Sequence, residues 1–176
     1  MSKTKWDLDP SHSEVTFKVK HMMITNVSGS FTEFTVDAST EANDFTKSEV
    51  SFTAKATSVN TNSEQRDGHL RSPEFFDSEK FPEIKFKATN YEKVSGEDYK
   101  LSGDLSIKDI TKNITLDVEY GGINKDPYGN IKAGFTVSGK INRKDFGLTW
   151  NAALETGGVM LSEEVKINCE IQLVKA

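Results

Sequence analysis

Apolar and polar residues alternate with a period of two through most of the chain, and no other feature limits its fold as strongly. At the start of one segment, Val15, Phe17 and Val19 alternate with Thr16 and Lys18. A period of two places successive side chains on opposite faces of a β-strand. The pattern recurs over 50–56, 84–88, 101–107, 114–120, 131–141 and 165–173. With a segment around Phe31, this predicts about eight antiparallel strands, each with one solvated face.

Two segments depart from strict alternation. Phe31 and Phe34 are apolar but only three residues apart, which predicts a bulge or bend between them. Residues 62–71 have no strand pattern and start near Asn62 and Ser63, both good helix caps. Pro at the second position of 72–74 predicts a further helical start. We therefore expect a short helical segment around 62–76.

Length and composition bound the class of protein. The 176 residues contain no linker or repeat, so a single domain over 1–176 is expected. Only 35% of residues are hydrophobic, yet 11 are Phe, which fits neither a disordered chain nor a membrane-spanning one. The net charge of −5, with both signs mixed along the chain, argues against nucleic-acid binding.

The first residues contain no apolar core of a signal peptide, so we expect a cytoplasmic protein, or a periplasmic one if a signal peptide has been removed. No stable membrane insertion is expected. A homodimer is compatible with the frequency of twofold dimers among soluble proteins. The one cysteine, Cys169, excludes an internal disulfide and is interpreted as a small buried hydrophobe.

The apolar face of the strands favours a hollow barrel. Eight antiparallel strands close into a barrel or pack as a sandwich, and an eight-stranded barrel has room for side chains or for one small ligand. Seven inward positions carry small residues: Ala54, Ala56, Ala88, Gly103, Ala133, Gly139 and Cys169. These favour an apolar cavity. The alternative is that small residues fit a tapering barrel or a close sheet-to-sheet contact.

Catalytic and cofactor motifs are absent from the sequence, and its three histidines lack the spacing of metal ligands. We therefore predict no enzyme activity, no cofactor and no metal. Four polar residues are candidates for the barrel mouth: His21, Arg66, His69 and Arg143. Each has a structural alternative. His21 could be a hydrogen-bonded core histidine, and Arg66 and His69 could belong to a self-paired charge cluster on the helix. Arg143 could be an arginine that ties down a loop.

Nine stretches of the chain match the pattern of a known family: Asp9–Ser13, Val15–Met22, Val27–Phe31, Arg66–Leu70, Phe75–Asp77, Phe81–Phe86, Gly103–Lys108, Asn142–Gly147 and Glu164–Ile167. In these stretches the chain resembles the YceI-like family of lipocalin-like, polyisoprenoid-binding proteins, and the resemblance extends over nearly its full length. Asp109 is one departure, because the family usually has Gly there. The resemblance implies an extended antiparallel eight-stranded lipocalin-like barrel whose apolar bore holds an isoprenoid chain.

The predicted ligand is therefore a long-chain isoprenoid lipid, an isoprenoid quinone or a polyprenyl precursor, held for transport, storage or sequestration. The polar candidates would lie near the mouth. The residues expected to line the bore are Phe17, Val19, Phe52, Ala54, Phe86, Leu105, Phe135 and Ile167. Two alternatives remain open: a stress-linked barrel filled by its own side chains, and an enzyme acting on a prenyl or fatty substrate.

Overall fold

The computed structural model describes residues 3–152, 154 and 160–176, and these residues form eleven strands and one α-helix. Three single turns of 3₁₀-helix, Pro10–His12, Ala56–Ser58 and Arg143–Phe146, connect them. The elements are β1 (Lys3–Leu8), β2 (Glu14–His21), β3 (Thr25–Phe31), β4 (Phe34–Glu41), β5 (Asp44–Lys55), β6 (Val59–Asn60), α1 (Glu64–Arg71), β7 (Glu83–Ser95), β8 (Asp98–Ile107), β9 (Ile110–Lys125), β10 (Ile131–Asn142) and β11 (Leu161–Lys175).

Eight strands close into an antiparallel barrel, in the order β1, β4, β5, β7, β8, β9, β10 and β11, with β11 pairing again with β1. Trp6 shows the closure directly, because it is in register with Ala38 of β4 on one side and with Lys175 of β11 on the other. The predicted fold class is confirmed. The sequence prediction missed β1, whose apolar face consists only of Trp6 and Leu8 beside Thr4.

β1 and β2 follow one another along the same edge of β11. β1 pairs with its last residues, Leu173–Lys175, and β2 pairs with it from Leu161 to Glu170. Across the barrel wall, β4 pairs with β1 and β3 pairs with β2. The break between β3 and β4 is a bend at residues 32–33, as the spacing of Phe31 and Phe34 predicted.

The two ends of the barrel differ. At the end where β1 and β4 pair, here called the floor, Trp6 is completely buried with Ala38, Phe45, Ala133 and Leu173. Its indole N–H donates to Thr40 Oγ1 at 3.0 Å, which satisfies the one polar atom of the ring. The opposite end, here called the mouth, carries the β2–β3 turn, α1 and the Arg143–Phe146 turn.

The helix is shorter than predicted. Ser63 caps α1, because its hydroxyl accepts a hydrogen bond from the Arg66 backbone N–H at 3.3 Å. After Arg71 the chain does not begin a second helix at Pro73. Residues 73–76 form turns instead, and the Phe76 N–H donates back to the Leu70 carbonyl at 2.9 Å. These turns fold Phe75 and Phe76 over the mouth of the barrel.

Candidate ligand-binding site

A cavity of about 470 Å³ occupies the barrel interior. Its volume falls within the range of sites for small ligands and cofactors, which are concave and mostly apolar. Most of its lining is apolar side chains on the inward faces of the strands. All the residues predicted for the bore line it: Phe17, Val19, Phe52, Ala54, Phe86, Leu105, Phe135 and Ile167.

The cavity lies against two unlike walls. On β7, β8 and β9 the inward residues are tightly packed, and Leu105, Leu116 and Val118 are at most 7% exposed. On β2 and β11, inward residues such as Phe17 and Ile167 are only half-buried, although they also line the cavity. The surface that they leave uncovered therefore faces the interior space. We call the first the packed wall and the second the open wall.

The small inward residues do not create this space as predicted. A Cβ on Gly103 would overlap the ring of Phe86, and one on Gly139 would overlap Leu116 Cδ2, so larger neighbours already occupy both gaps. Ala133 is buried in the floor with Trp6. Of the seven small residues, only Ala54 and Cys169 line the cavity. The hollow arises because the open wall is lined by side chains that do not reach across to the packed wall.

Arg143 is the most distinctive polar residue at the mouth. Its side chain is 3% exposed and lines the cavity. Nε donates to the Ser162 carbonyl at 2.8 Å, and Nη1 donates to the carbonyls of Leu148 and Trp150 at 2.6 and 2.8 Å. These bonds show that Arg143 ties down the segment after β10. Nη2 is buried without a hydrogen-bond partner among the described residues, and burial lowers the pKa of the guanidinium.

His69 lies beside the same segment. Its ring is edge-on to Trp150, with 4.8 Å between centroids, and to Phe75, with 5.0 Å. Nε2 lies 3.6 Å from Glu74 Oε1. His69 and Arg143 thus both contact Trp150, one through its ring and the other through its carbonyl oxygen. Sequence reasoning missed Trp150, because no alternation marks the irregular segment that carries it.

Arg66 and Asp67 do not form the self-paired cluster considered from the sequence. Both instead bind Thr61. Asp67 is buried and accepts from the backbone N–H and the hydroxyl of Thr61 at 2.8 and 2.6 Å. Arg66 donates to the hydroxyl and the carbonyl of Thr61, both at 2.8 Å. Arg66 is exposed and also lines the cavity, so the cavity approaches the surface beside α1.

His21 completes the set of predicted polar residues at the mouth. It ends β2, lines the cavity and is in register with Leu161 of β11. Ser162, whose carbonyl accepts from Arg143, follows directly. The fold therefore brings His21, the helix residues Arg66 and His69, and Arg143 to one end of the cavity from three distant parts of the sequence. Their role in binding remains a prediction.

Towards the floor, the cavity ends at a cluster of aromatic rings that the sequence did not reveal. Tyr91 stacks on Tyr99 with 4.7 Å between centroids, and Phe135 stacks on Tyr120 with 5.2 Å. The Tyr91 hydroxyl is buried and has no partner among the described residues, and burial raises its pKa. The rings close this end of the cavity with apolar surface.

The thiol of Cys169 also lines the cavity. Burial raises the pKa of the Cys169 thiol to about 12, so the thiol is protonated and a poor nucleophile at neutral pH. Within the described residues, no three His, Cys, Asp or Glu side chains are grouped so as to hold a metal ion. The helical part of the described chain offers no segment of the length and apolarity needed to cross a membrane.

An eight-stranded antiparallel barrel with an apolar cavity and polar groups at one end defines the class of this protein. A family model described as YceI-like domain matches residues 6–173. A UPF0312 protein of Staphylococcus aureus is 41% identical over 170 residues, which is 96% of each chain. The chain belongs to the YceI-like family.

Solved structures show the same fold. The crystal structure of Campylobacter jejuni YCEI protein is 33% identical, with a TM-score of 0.77 over 89% of this chain and 90% of that one. Burkholderia cenocepacia BcnA has a TM-score of 0.80 at 19% identity, over 94% and 99% of the two chains. A polyisoprenoid binding domain from Saccharophagus degradans has a TM-score of 0.67 at 17% identity, over 97% and 98%.

Proposed function

We propose that this protein binds one long-chain isoprenoid lipid, an isoprenoid quinone or a polyprenyl precursor, inside its barrel. The observation that carries the proposal is the largely apolar cavity of about 470 Å³, whose arginine and histidine side chains lie together at the mouth. An apolar chain seated against the open wall would cover surface that the protein's own side chains leave bare. Membership of a family with a polyisoprenoid-binding structural neighbour supports the same ligand class.

The lipid tail provides most of the binding free energy. Each buried methylene contributes about 0.8 kcal/mol, so several prenyl units outweigh the cost of ordering a flexible chain. In this proposal Phe17, Val19 and Ile167 contact the tail from the open wall. The packed wall and the strands beside it complete the bore with Phe52, Ala54, Phe86, Leu105 and Phe135.

The head group lies at the mouth and accepts a hydrogen bond from Arg143. Among the residues that the structure describes, the Nη2 group is buried without a hydrogen-bond partner, and an unsatisfied buried donor is costly. A quinone carbonyl and a phosphate oxygen are both acceptors that would satisfy it. His21, Arg66 and His69 surround the same end of the cavity and would contact the rest of the head group.

Extraction of gently purified protein with organic solvent, followed by mass spectrometry, tests the proposal. We expect about one isoprenoid lipid per chain, as a single cavity of this size permits. The mass identifies the head group and so separates a quinone from a prenyl phosphate. An extract without an isoprenoid lipid, together with failure to take up either compound on addition, would refute the proposal.

A pair of neighbouring substitutions provides the control. Ile167→Trp projects a bulky ring into the cavity from β11, whereas Asn168→Trp places the same ring on the solvated face. The first variant should lose most of its lipid, and the second should retain it. The protein would serve as a carrier, a store or a sequestering agent, and the rate at which it transfers bound lipid to acceptor vesicles separates a carrier from the other two.

A further inference from the structure

The turn between β2 and β3, at the mouth, exposes three consecutive apolar residues. Met22, Met23 and Ile24 are 40%, 55% and 75% exposed. Other exposed large apolar residues in the described chain, such as Val94 and Tyr128, are single residues on separate hairpins. A contiguous apolar tip is the kind of exposed surface that marks an interaction site. We call Met22–Ile24 the methionine tip.

The backbone of this tip is unfavourable for the residues that it carries. Met22 and Met23 both have positive φ, 54° and 60°, and the Ile24 N–H donates to the His21 carbonyl at 3.1 Å. Positive φ at both central residues is typical of a type I′ turn, where Asn and Gly are strongly preferred. Two methionines in the left-handed region strain the turn. Folding alone does not explain why apolar side chains occupy these two positions.

A row of lysines follows the tip along the outer surface. Lys18 and Lys20 on β2 and Lys166 on β11 are exposed, and Lys18 and Lys166 are directly in register. Like charges at such positions repel each other. Among the described residues, none of the three has a carboxylate within ion-pair distance. Glu164 lies beside this row on the exposed face of β11, but it pairs with Lys140 at 3.7 Å, so the three lysines remain available to an anionic partner.

The tip is joined to the cavity. The Met22 N–H donates to the Met160 carbonyl at 2.7 Å, and Met160 and His21 both line the cavity. A ligand leaving the mouth would pass beside the methionine tip. The tip is also too small to form a stable protein–protein interface, which buries about 800 Å² on each partner.

We propose that the methionine tip and the lysine row dock the mouth of the barrel onto an anionic lipid bilayer. The flexible methionine side chains and Ile24 enter the acyl boundary, and the lysines contact anionic head groups behind them. Docking lets an isoprenoid lipid pass between bilayer and barrel without crossing water. The transfer of lipid rests on the proposed function, whereas the docking surface itself is argued from the exposed residues alone.

Vesicle flotation tests the docking. Vesicles of phosphatidylcholine with about 30% phosphatidylglycerol should carry the protein upward, and phosphatidylcholine alone should carry much less. The variant Met22→Asn/Met23→Gly should reduce binding at least about tenfold. Since Asn-Gly suits a type I′ turn, the same variant should melt at an equal or higher temperature, which shows that binding is not lost through unfolding.

Matched controls isolate each component. Val94→Asn/Tyr128→Asn removes exposed apolar side chains elsewhere and should leave flotation unchanged. Lys18→Gln/Lys20→Gln/Lys166→Gln should abolish the preference for phosphatidylglycerol. The triple variant Lys93→Gln/Lys112→Gln/Lys125→Gln removes the same charge at other exposed positions and should preserve that preference.

Several outcomes would overturn the docking proposal. It fails if the wild-type protein does not float, or if the Asn-Gly variant floats as well as wild type. It also fails if neither protein floats and light scattering shows a dimeric wild type and a monomeric Asn-Gly variant. The tip would then be a contact between two copies of the chain. Lipid extraction of the same samples keeps the two proposals apart: lipid-loaded protein that does not float refutes docking alone, and floating protein that never holds lipid refutes the proposed function alone.

Discussion

The packed wall and the open wall have the same strand geometry and similar apolar residues, yet they are buried to different extents. Leu116 on β9 fills the space over Gly139 and is 7% exposed. Ile167 on β11, in register with the same glycine, is half-buried and borders the cavity. The comparison shows that the inward face of a strand does not by itself make a core. What lies opposite the side chain decides whether it is covered.

Truncation of one inward side chain to alanine should have the largest effect and should differ most between the two walls. Leu116→Ala removes the side chain that is packed over Gly139 and should lower the free energy of unfolding by about 3–5 kcal/mol. Ile167→Ala only enlarges a space that is already present, so the loss should be about 1 kcal/mol in lipid-free protein. Urea denaturation of both variants measures the difference. Equal losses would show that the open wall is packed in solution.

Removing bound lipid should have the next largest effect. A ligand at about one hundred times its dissociation constant stabilises the folded state by about 2.7 kcal/mol, and delipidation should remove that contribution. Thermal unfolding before and after extraction with detergent checks this. The decrease in Tm should disappear in Ile167→Trp, because this variant is expected to hold little lipid before extraction. A decrease of the same size in that variant would mean that extraction damages the protein itself.

The glycines of the packed wall provide a smaller test. Gly103→Ala places a methyl group against the Phe86 ring and should lower the stability by about 2 kcal/mol. Gly134→Ala is the matched control, because nothing lies within 4 Å of its added Cβ. It should leave the stability unchanged or slightly raised. Both are measured by urea denaturation. A neutral Gly103→Ala would show that the Phe86 ring and the Lys87 carbonyl, which both meet the added methyl group, move away at little cost.

The smallest expected effect concerns the junction between β1 and β2. Asp9 accepts from Lys132 Nζ at 2.8 Å and from Gln172 Nε2 at 3.0 Å, which fixes the Pro10–His12 turn to β10 and β11. The bond from Lys132 holds the pKa of Asp9 well below its usual range. The ionised Asp9 carboxylate therefore contributes its full stabilisation above about pH 4, the ordinary pKa of this group in the unfolded chain. The contribution is lost as the pH falls further and Asp9 is protonated.

The variant Asp9→Asn should cost about 1–2 kcal/mol at neutral pH and should make unfolding less sensitive to acid. Urea denaturation at several pH values between neutral and strongly acid conditions measures both. Asp117→Asn, which removes an exposed partner of Lys100, serves as the control and should leave the acid sensitivity unchanged. An Asp9→Asn variant with the wild-type pH profile would contradict this role.

The alternation of residues was sufficient to predict the strands that form the barrel, because one side of each long strand meets apolar surface. It failed at β1, where two apolar residues on one face are too few to show a period. The inward positions of Phe17 and Ile167 followed from the same pattern. The same pattern did not predict that Phe86 covers Gly103 and Leu116 covers Gly139, since these contacts cross between strands.

The mouth was only partly predictable for a related reason. Arg143 stood out as an arginine at the end of a strand, but its bonds go to carbonyl oxygens of Leu148, Trp150 and Ser162. Carbonyl groups have no signature in a sequence, so these bonds, and an Nη2 group left without a partner in the described part of the chain, appear only in three dimensions. The run Met22–Ile24 stands out in the sequence as three consecutive apolar residues, but their exposure and the positive φ of Met22 and Met23 appear only in the structure.

The two tryptophans give the molecule a built-in optical reporter. Trp6 is sealed in the floor with its N–H bonded to Thr40, so its environment is fixed while the barrel is folded. Trp150 is half-buried at the mouth, against His69 and within the cavity lining. Emission from one ring therefore reports folding, and changes in emission from the other report what enters or leaves the barrel.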